Sequence, residues 1–138
     1  MKFRALALLM ILIGLLSSCN NDDDNSLSQE GINGSWNLKN VTGGFIGVNI
    51  DYNQGDVIWT FNSQNNSLVV ENNIITTGPE DIYAGLDTGS YSYIIEQNGD
   101  VETLFIDGNE RGNIELQNNI LKIDDGIIAD GFITLFEK

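Results

Sequence analysis

The side chains of this sequence that could do chemistry are one cysteine, Cys19, and a set of carboxylates; there is no histidine. Without imidazole, the commonest general base, the usual zinc ligand and both the Ser–His and Cys–His nucleophile pairs are missing. Glu80-Asp81 and Asp124-Asp125 remain as candidates for acid–base work. Neighbours along a strand point to opposite faces, so neither pair converges on one substrate, and turn formation explains both more simply. Asp107-Gly108-Asn109-Glu110-Arg111-Gly112 begins like a calcium loop. Its third ligand position is Arg111 and its twelfth is Asn118 rather than glutamate, so that template fails. The residues therefore predict no enzyme, no metal and no cofactor.

Cys19 draws its meaning from its flanks. Residues 1–18 have the three parts of a secretory signal: Lys2 and Arg4 at the start, an apolar run over 5–16, then Ser17 and Ser18. The run falls well short of the roughly 20 residues that a spanning helix needs. Leu16-Ser17-Ser18-Cys19 resembles the lipobox of bacterial lipoproteins. That resemblance implies a diacylglyceryl group on the Cys19 thiol, cleavage before it and acylation of the new amine. Several acyl chains, at about 0.8 kcal/mol per buried methylene, hold far more firmly than one. Asn20-Asn21-Asp22-Asp23-Asp24-Asn25 is polar and acidic, the composition of a flexible tether. It also resembles the acidic signal behind the lipidated cysteine of surface-exposed Bacteroidetes lipoproteins. The expected location is the outer membrane, at the cell surface, with the periplasmic face as the alternative.

Removal of residues 1–18 leaves Lys39, Arg111, Lys122 and Lys138 against 20 acidic residues, a net charge of −16. Such a chain repels nucleic acid and anionic surfaces, so contact with a membrane must come through the lipid. With no second cysteine, no internal disulfide can staple the fold. The division expected is a signal over 1–18, the lipidated cysteine and tether over 19–30, and one domain over 31–138.

The elements of that domain must be strands. From Gly31 onward, short runs rich in Ile, Val, Phe, Tyr and Thr alternate with Asn, Asp and Gly. The pattern predicts strands over 35–41, 48–52, 57–62, 68–73, 90–97, 102–107, 112–117, 121–124 and 132–137. Val57, Trp59 and Phe61 share one face, as do Tyr91, Tyr93 and Ile95. Asn98-Gly99, Asp107-Gly108 and Asn118-Asn119 supply residues that tolerate positive φ in tight turns. Sequential strands so joined make an antiparallel up-and-down meander, which must close into a barrel or stack as a sandwich to hide its edges. The barrel is the first expectation.

Gly34-Ser35-Trp36, a Gly-x-Trp at the head of the first strand, resembles the lipocalin signature. The stretches Ser90-Tyr91-Ser92-Tyr93 and Asp130-Gly131-Phe132-Ile133-Thr134-Leu135-Phe136 are similar to small lipocalin-like lipoproteins of Bacteroidetes. The resemblance implies a lipocalin-like β-barrel with Trp36 packed across its closed end and Gly34 easing the strand past its neighbours. The sequence departs from that pattern in having no Thr-Asp-Tyr-like motif, no arginine beside the last strand, no disulfide and no C-terminal helix.

Two connections are longer than the rest. Residues 42–47 carry Phe45 among glycines, and 76–89 carry Pro79 at a plausible first helical position, with a helix to about Leu86 presenting Ile82, Tyr83 and Leu86. At one barrel end they would form a lid, or they would plug the barrel. Inward aromatics of a small barrel either fill it or surround one small guest. The candidate ligand-binding residues are Phe45, Trp59, Phe61, Tyr83, Tyr91 and Tyr93. The function expected is non-enzymatic binding of a small apolar ligand. The competing expectation is a structural or partner-binding envelope subunit with a solid core.

Overall fold

The computed structural model describes residues 31–138; Cys19, the signal and the tether lie outside the described residues. Nine strands make one antiparallel sheet: β1 (Gly34–Gly43), β2 (Val48–Asp51), β3 (Val57–Asn62), β4 (Ser67–Asn72), β5 (Gly89–Asn98), β6 (Val101–Ile106), β7 (Asn109–Gln117), β8 (Ile120–Asp124) and β9 (Phe132–Glu137). Each strand from β3 to β9 pairs with the next, and β1 pairs with both β3 and β9. The sheet therefore closes as an eight-stranded up-and-down barrel, not a sandwich. β2 is the ninth strand, a hairpin arm on the upper half of β1, with Val41 opposite Ile50 and Gly43 opposite Val48.

The closure follows from the alternation. Val57, Trp59 and Phe61 of β3, Leu68 and Val70 of β4, Tyr93 of β5, Leu104 and Ile106 of β6, and Leu121 and Ile123 of β8 are buried. The residues between them face out. β1 buries Trp36 and Leu38, then Val41, because the register against β9 shifts between Leu38 and Asn40. A bulge at Lys39 thus flips the phase of the strand. The turns obey their chemistry: Asp107 (φ 49°) and Gly108 (φ 75°) make a two-residue hairpin loop of the primed kind, and Gly99 (φ 64°) and Asn118 (φ 53°) sit at the other tight corners.

One end is sealed. Trp36 is fully buried and its Nε1 donates to Ile32 O at 2.6 Å. Lys138 Nζ lies 4.5 Å from the centroid of the Trp36 ring and donates to Asn33 O at 3.0 Å. Lys138 thus sets a cation over the face of the buried indole. Gly34 is required for its backbone rather than for space: its φ is +108°, and an added Cβ would meet only the Lys138 side chain, at 3.8 Å. Gly31 lies at this sealed end, its carbonyl accepting from Lys138 Nζ at 3.3 Å.

The opposite end carries the long connections. Helix α1 (Pro79–Ile82) is a single turn starting at Pro79. It ends short of Leu86 because Gly85 takes φ +91°, and Ala84 and Leu86 then turn inward and are buried. The β8–β9 connection holds a 3-10 turn over Ile127–Ala129.

Candidate functional site

The lower barrel is packed solid. Phe61 and Tyr93 meet edge to face at 5.0 Å between centroids, and Trp59 packs against Phe136 at 4.7 Å with the rings tilted by 42°. Above Trp59 the filling stops. A cleft of about 260 Å³ opens there, walled by Val41, Trp59, Ile123, Phe132 and Thr134 from the strands and by Tyr83 and Gly85 from the β4–β5 connection. Tyr83 and Phe132 pack at 5.5 Å across its rim. Two hollows of about 310 and 360 Å³ are larger, but asparagine, serine, threonine and acidic side chains dominate their walls. Phe61, on the wall of the larger, is the one ring they have between them, against three in the first.

Three charged side chains also line the cleft: Glu110, Arg111 and Asp125. Arg111 is there because of a second bulge. Leu104 pairs with Gly112 but Phe105 pairs with Glu110, so Arg111 is the extra residue. A bulge of this kind re-aims one side chain, and here it brings a guanidinium to the cleft wall. Gly112 makes it possible. Its φ is +128°, and a Cβ there would lie 2.7 Å from the Asp124 carbonyl carbon.

The loop after β8 is held by its own carboxylates. Asp124 accepts from Gly126 N and Ile127 N at 3.0 Å each, and these backbone donors hold its carboxyl below the ordinary range. Asp125 accepts from Phe132 N, which fixes the aromatic wall of the cleft. On the opposite side, Tyr52 donates to Glu80 O at 3.0 Å and ties α1 to the barrel. Burial first, then the charges of Glu80 and Asp56, push its phenol up to about 12.

Two residues of the cleft wall carry enclosed donors. Trp59 Nε1 and Arg111 Nε are both buried without a hydrogen bond. A Cβ on Gly85 would lie 3.9 Å from Trp59 Cζ2, so the nitrogen-bearing edge of the indole faces the cleft wall.

Of the six aromatic candidates, the cleft gathers two, Trp59 and Tyr83. Phe61 and Tyr93 lie below it in the closed core. Tyr91 is half-buried, with its hydroxyl donating to Asp87 O at 2.8 Å. Phe45 is 88 % exposed on the β1–β2 hairpin, outside the cleft lining. Arg111, Phe132 and Thr134 line the site although the sequence pattern does not mark them as binding residues. The glycine at 112, at the head of the expected strand, is the one local sign of a bulge beside Arg111. Comparison with protein-family models, with curated proteins and with solved structures finds no match to this chain.

Proposed function

We propose that the mature protein is a lipoprotein held in the outer membrane through acyl chains on Cys19, surface-exposed, whose lipocalin-like barrel binds a small apolar molecule without chemical change. The observation that carries the reading is the aromatic-floored cleft at the barrel end opposite Gly31. Ligand sites are concave and join apolar or aromatic walls to placed polar groups, and this cleft sets the rings of Trp59, Tyr83 and Phe132 beside Glu110, Arg111, Asp125 and Thr134. At about 260 Å³ it is just under the usual range for drug-sized guests, which limits the occupant to one ring or a short chain. The absence of histidine and the use of Asp124 and Asp125 to bind backbone donors favour binding over catalysis.

Native mass spectrometry of the delipidated domain purified from its own host tests the reading. A retained small molecule of constant mass supports it. A bare domain from several preparations contradicts it.

A second reading has its own observation. Phe45 (88 % exposed), Ile46 (81 %) and Ile128 (100 %) stand clear of the barrel on the two connections beside Phe132. Such a group favours docking of another envelope protein at the mouth. Under that reading, Phe45→Ser with Ile46→Ser abolishes capture of a partner and leaves small-molecule retention intact.

A further inference from the structure

We infer that the rim of the barrel mouth docks a cationic amphipathic segment of another protein. The segment's large apolar residues pack on Phe45, Ile46, Ile82 and Ile128, and its lysines or arginines face the carboxylates between them. The inference rests on the docking reading above and gives the partner its chemistry.

The four side chains belong to three connections that converge on Phe132. Gly44 N donates to Gly131 O at 2.9 Å, and a Cβ on Gly44 would lie 2.9 Å from Phe132 Cζ. The β1–β2 hairpin and the β8–β9 connection are therefore packed together. The ring of Tyr83, next to Ile82, meets Phe132 from the β4–β5 connection. Ile82, 71 % exposed, thus joins Phe45, Ile46 and Ile128 at one end of the barrel. Single apolar side chains on a surface need no explanation, but a group of large ones at one end marks a contact. Elsewhere on the described surface the exposed large apolar residues, Val69, Ile94 and Val101, are each less than half exposed.

Charge decides what can cover them. Residues 42–47, 73–88 and 125–131 contain no lysine or arginine. Ile82 follows Glu80-Asp81, Ile128 stands between Asp125 and Asp130, and all four acids are exposed. The lysines are engaged elsewhere: Lys39 pairs with Glu137, Lys122 with Glu115, and Lys138 lies over Trp36 at the sealed end. A second copy of this chain would bring four basic residues against 20 acidic ones to the same rim, and like charge repels it. Anionic lipid meets the same repulsion. A neutral apolar partner would cover the tips but desolvate the carboxylates without pairing them. A basic amphipathic segment answers both, and the field of the whole chain steers it in.

The test uses the mature chain carrying Cys19→Ala and labelled synthetic peptides, followed by fluorescence anisotropy. One peptide is an amphipathic helix of lysine and leucine. A second has glutamate for every lysine, and a third has serine for every leucine. At about 0.15 M salt the Lys/Leu peptide should bind about ten-fold or more tighter than either of the others. Phe45→Ser with Ile46→Ser should remove about ten-fold of that affinity, while Ile94→Ser, on β5, leaves it unchanged. Glu80→Gln with Asp130→Asn should weaken binding and flatten its salt dependence; asparagine tolerates the φ of 65° at position 130. Melting curves establish that each variant is folded, and Ile128→Ser repeats the apolar loss from a separate connection. Equal affinity for the Lys/Leu and Glu/Leu peptides overturns the inference and leaves the docking reading standing. A Lys/Ser peptide as tight as Lys/Leu overturns it too, since charge alone then suffices. Unchanged affinity in the Phe45, Ile46 and Ile128 variants removes the inference and the docking reading together. Capture of the wild type by phosphatidylcholine vesicles through Phe45 and Ile46, with no peptide bound, assigns the rim to lipid and overturns the inference. A dimer in sedimentation that the same substitutions dissolve assigns it to a second copy, with the same consequence.

Discussion

Tyr52 shows how one side chain ties the site to the stability of the fold. Its hydroxyl is the donor that holds α1 against the barrel, through Glu80 O. A phenolate cannot donate, and burial together with Glu80 and Asp56 raises the phenol from its ordinary value of 10.0 to about 12. Between those values the unfolded chain has released the proton and the folded chain still holds it. Stability that is complete below pH 10 is therefore lost as pH rises toward 12. Denaturant midpoints measured from pH 8 to 12 should fall over that window. Tyr52→Phe should flatten part of the fall and cost about 1 kcal/mol at neutral pH, the usual worth of one hydrogen bond. A residual decline should persist, because burial also raises Tyr93. Asp124 works in the opposite direction: its lowered carboxyl contributes stability above its ordinary 3.8 that is lost as pH falls through the folded value.

Among the elements, β7 matters most to the site, and its bulge rests on one glycine. Gly112 and Gly99 both have positive φ, +128° and +64°. They differ in their surroundings. A Cβ at 99 meets nothing, while one at 112 runs into the backbone of Asp124 and Asp125. Gly99→Ala should therefore cost about 1–2 kcal/mol from conformation alone. Gly112→Ala adds a backbone clash, so its cost should be about 2–4 kcal/mol. The melting temperatures of the two variants check the ranking, and equal losses would mean that the bulge is not packed as described.

The same strand shows how far the sequence can be read. Nine strands and the tight corners at 99, 107–108 and 118 are legible in it, because period-two burial and turn residues are local signals. The placement of Arg111 is not. The sequence pattern starts its strand at Gly112 and leaves Arg111 in a turn, whereas β7 begins at Asn109 and carries the arginine on a bulge. Registers set by pairing partners far along the chain leave only a faint local trace. The aromatics illustrate the same limit. Trp59 and Phe61 alternate identically, yet only Trp59 lines the cleft, because height along the barrel decides and periodicity does not record it.

At the scale of the whole molecule the barrel has a sealed end and an open one, joined by a solid core. Ile32, Trp36 and Lys138 close the base, beside Gly31. Lys138→Ala removes a cation over the Trp36 face and two carbonyl contacts, at Gly31 and Asn33, and should destabilise the domain by about 1 kcal/mol without changing the cleft. In the proposed arrangement anchoring is separable from folding: Cys19→Ala should leave the domain folded and move it from the membrane pellet to the soluble fraction after a high-salt wash. Retention in the pellet would contradict the lipid anchor.

Central to all of this is the cleft above Trp59 as the place where a guest resides. Thr134 lines that cleft from β9, and Thr134→Trp fills its volume while leaving the core below untouched. Native mass spectra of the wild-type domain and of Thr134→Trp, purified side by side from the native host, make the decisive comparison. A bound small molecule on the wild type and none on the folded variant is the predicted result. The same molecule on both, or on neither, would contradict it.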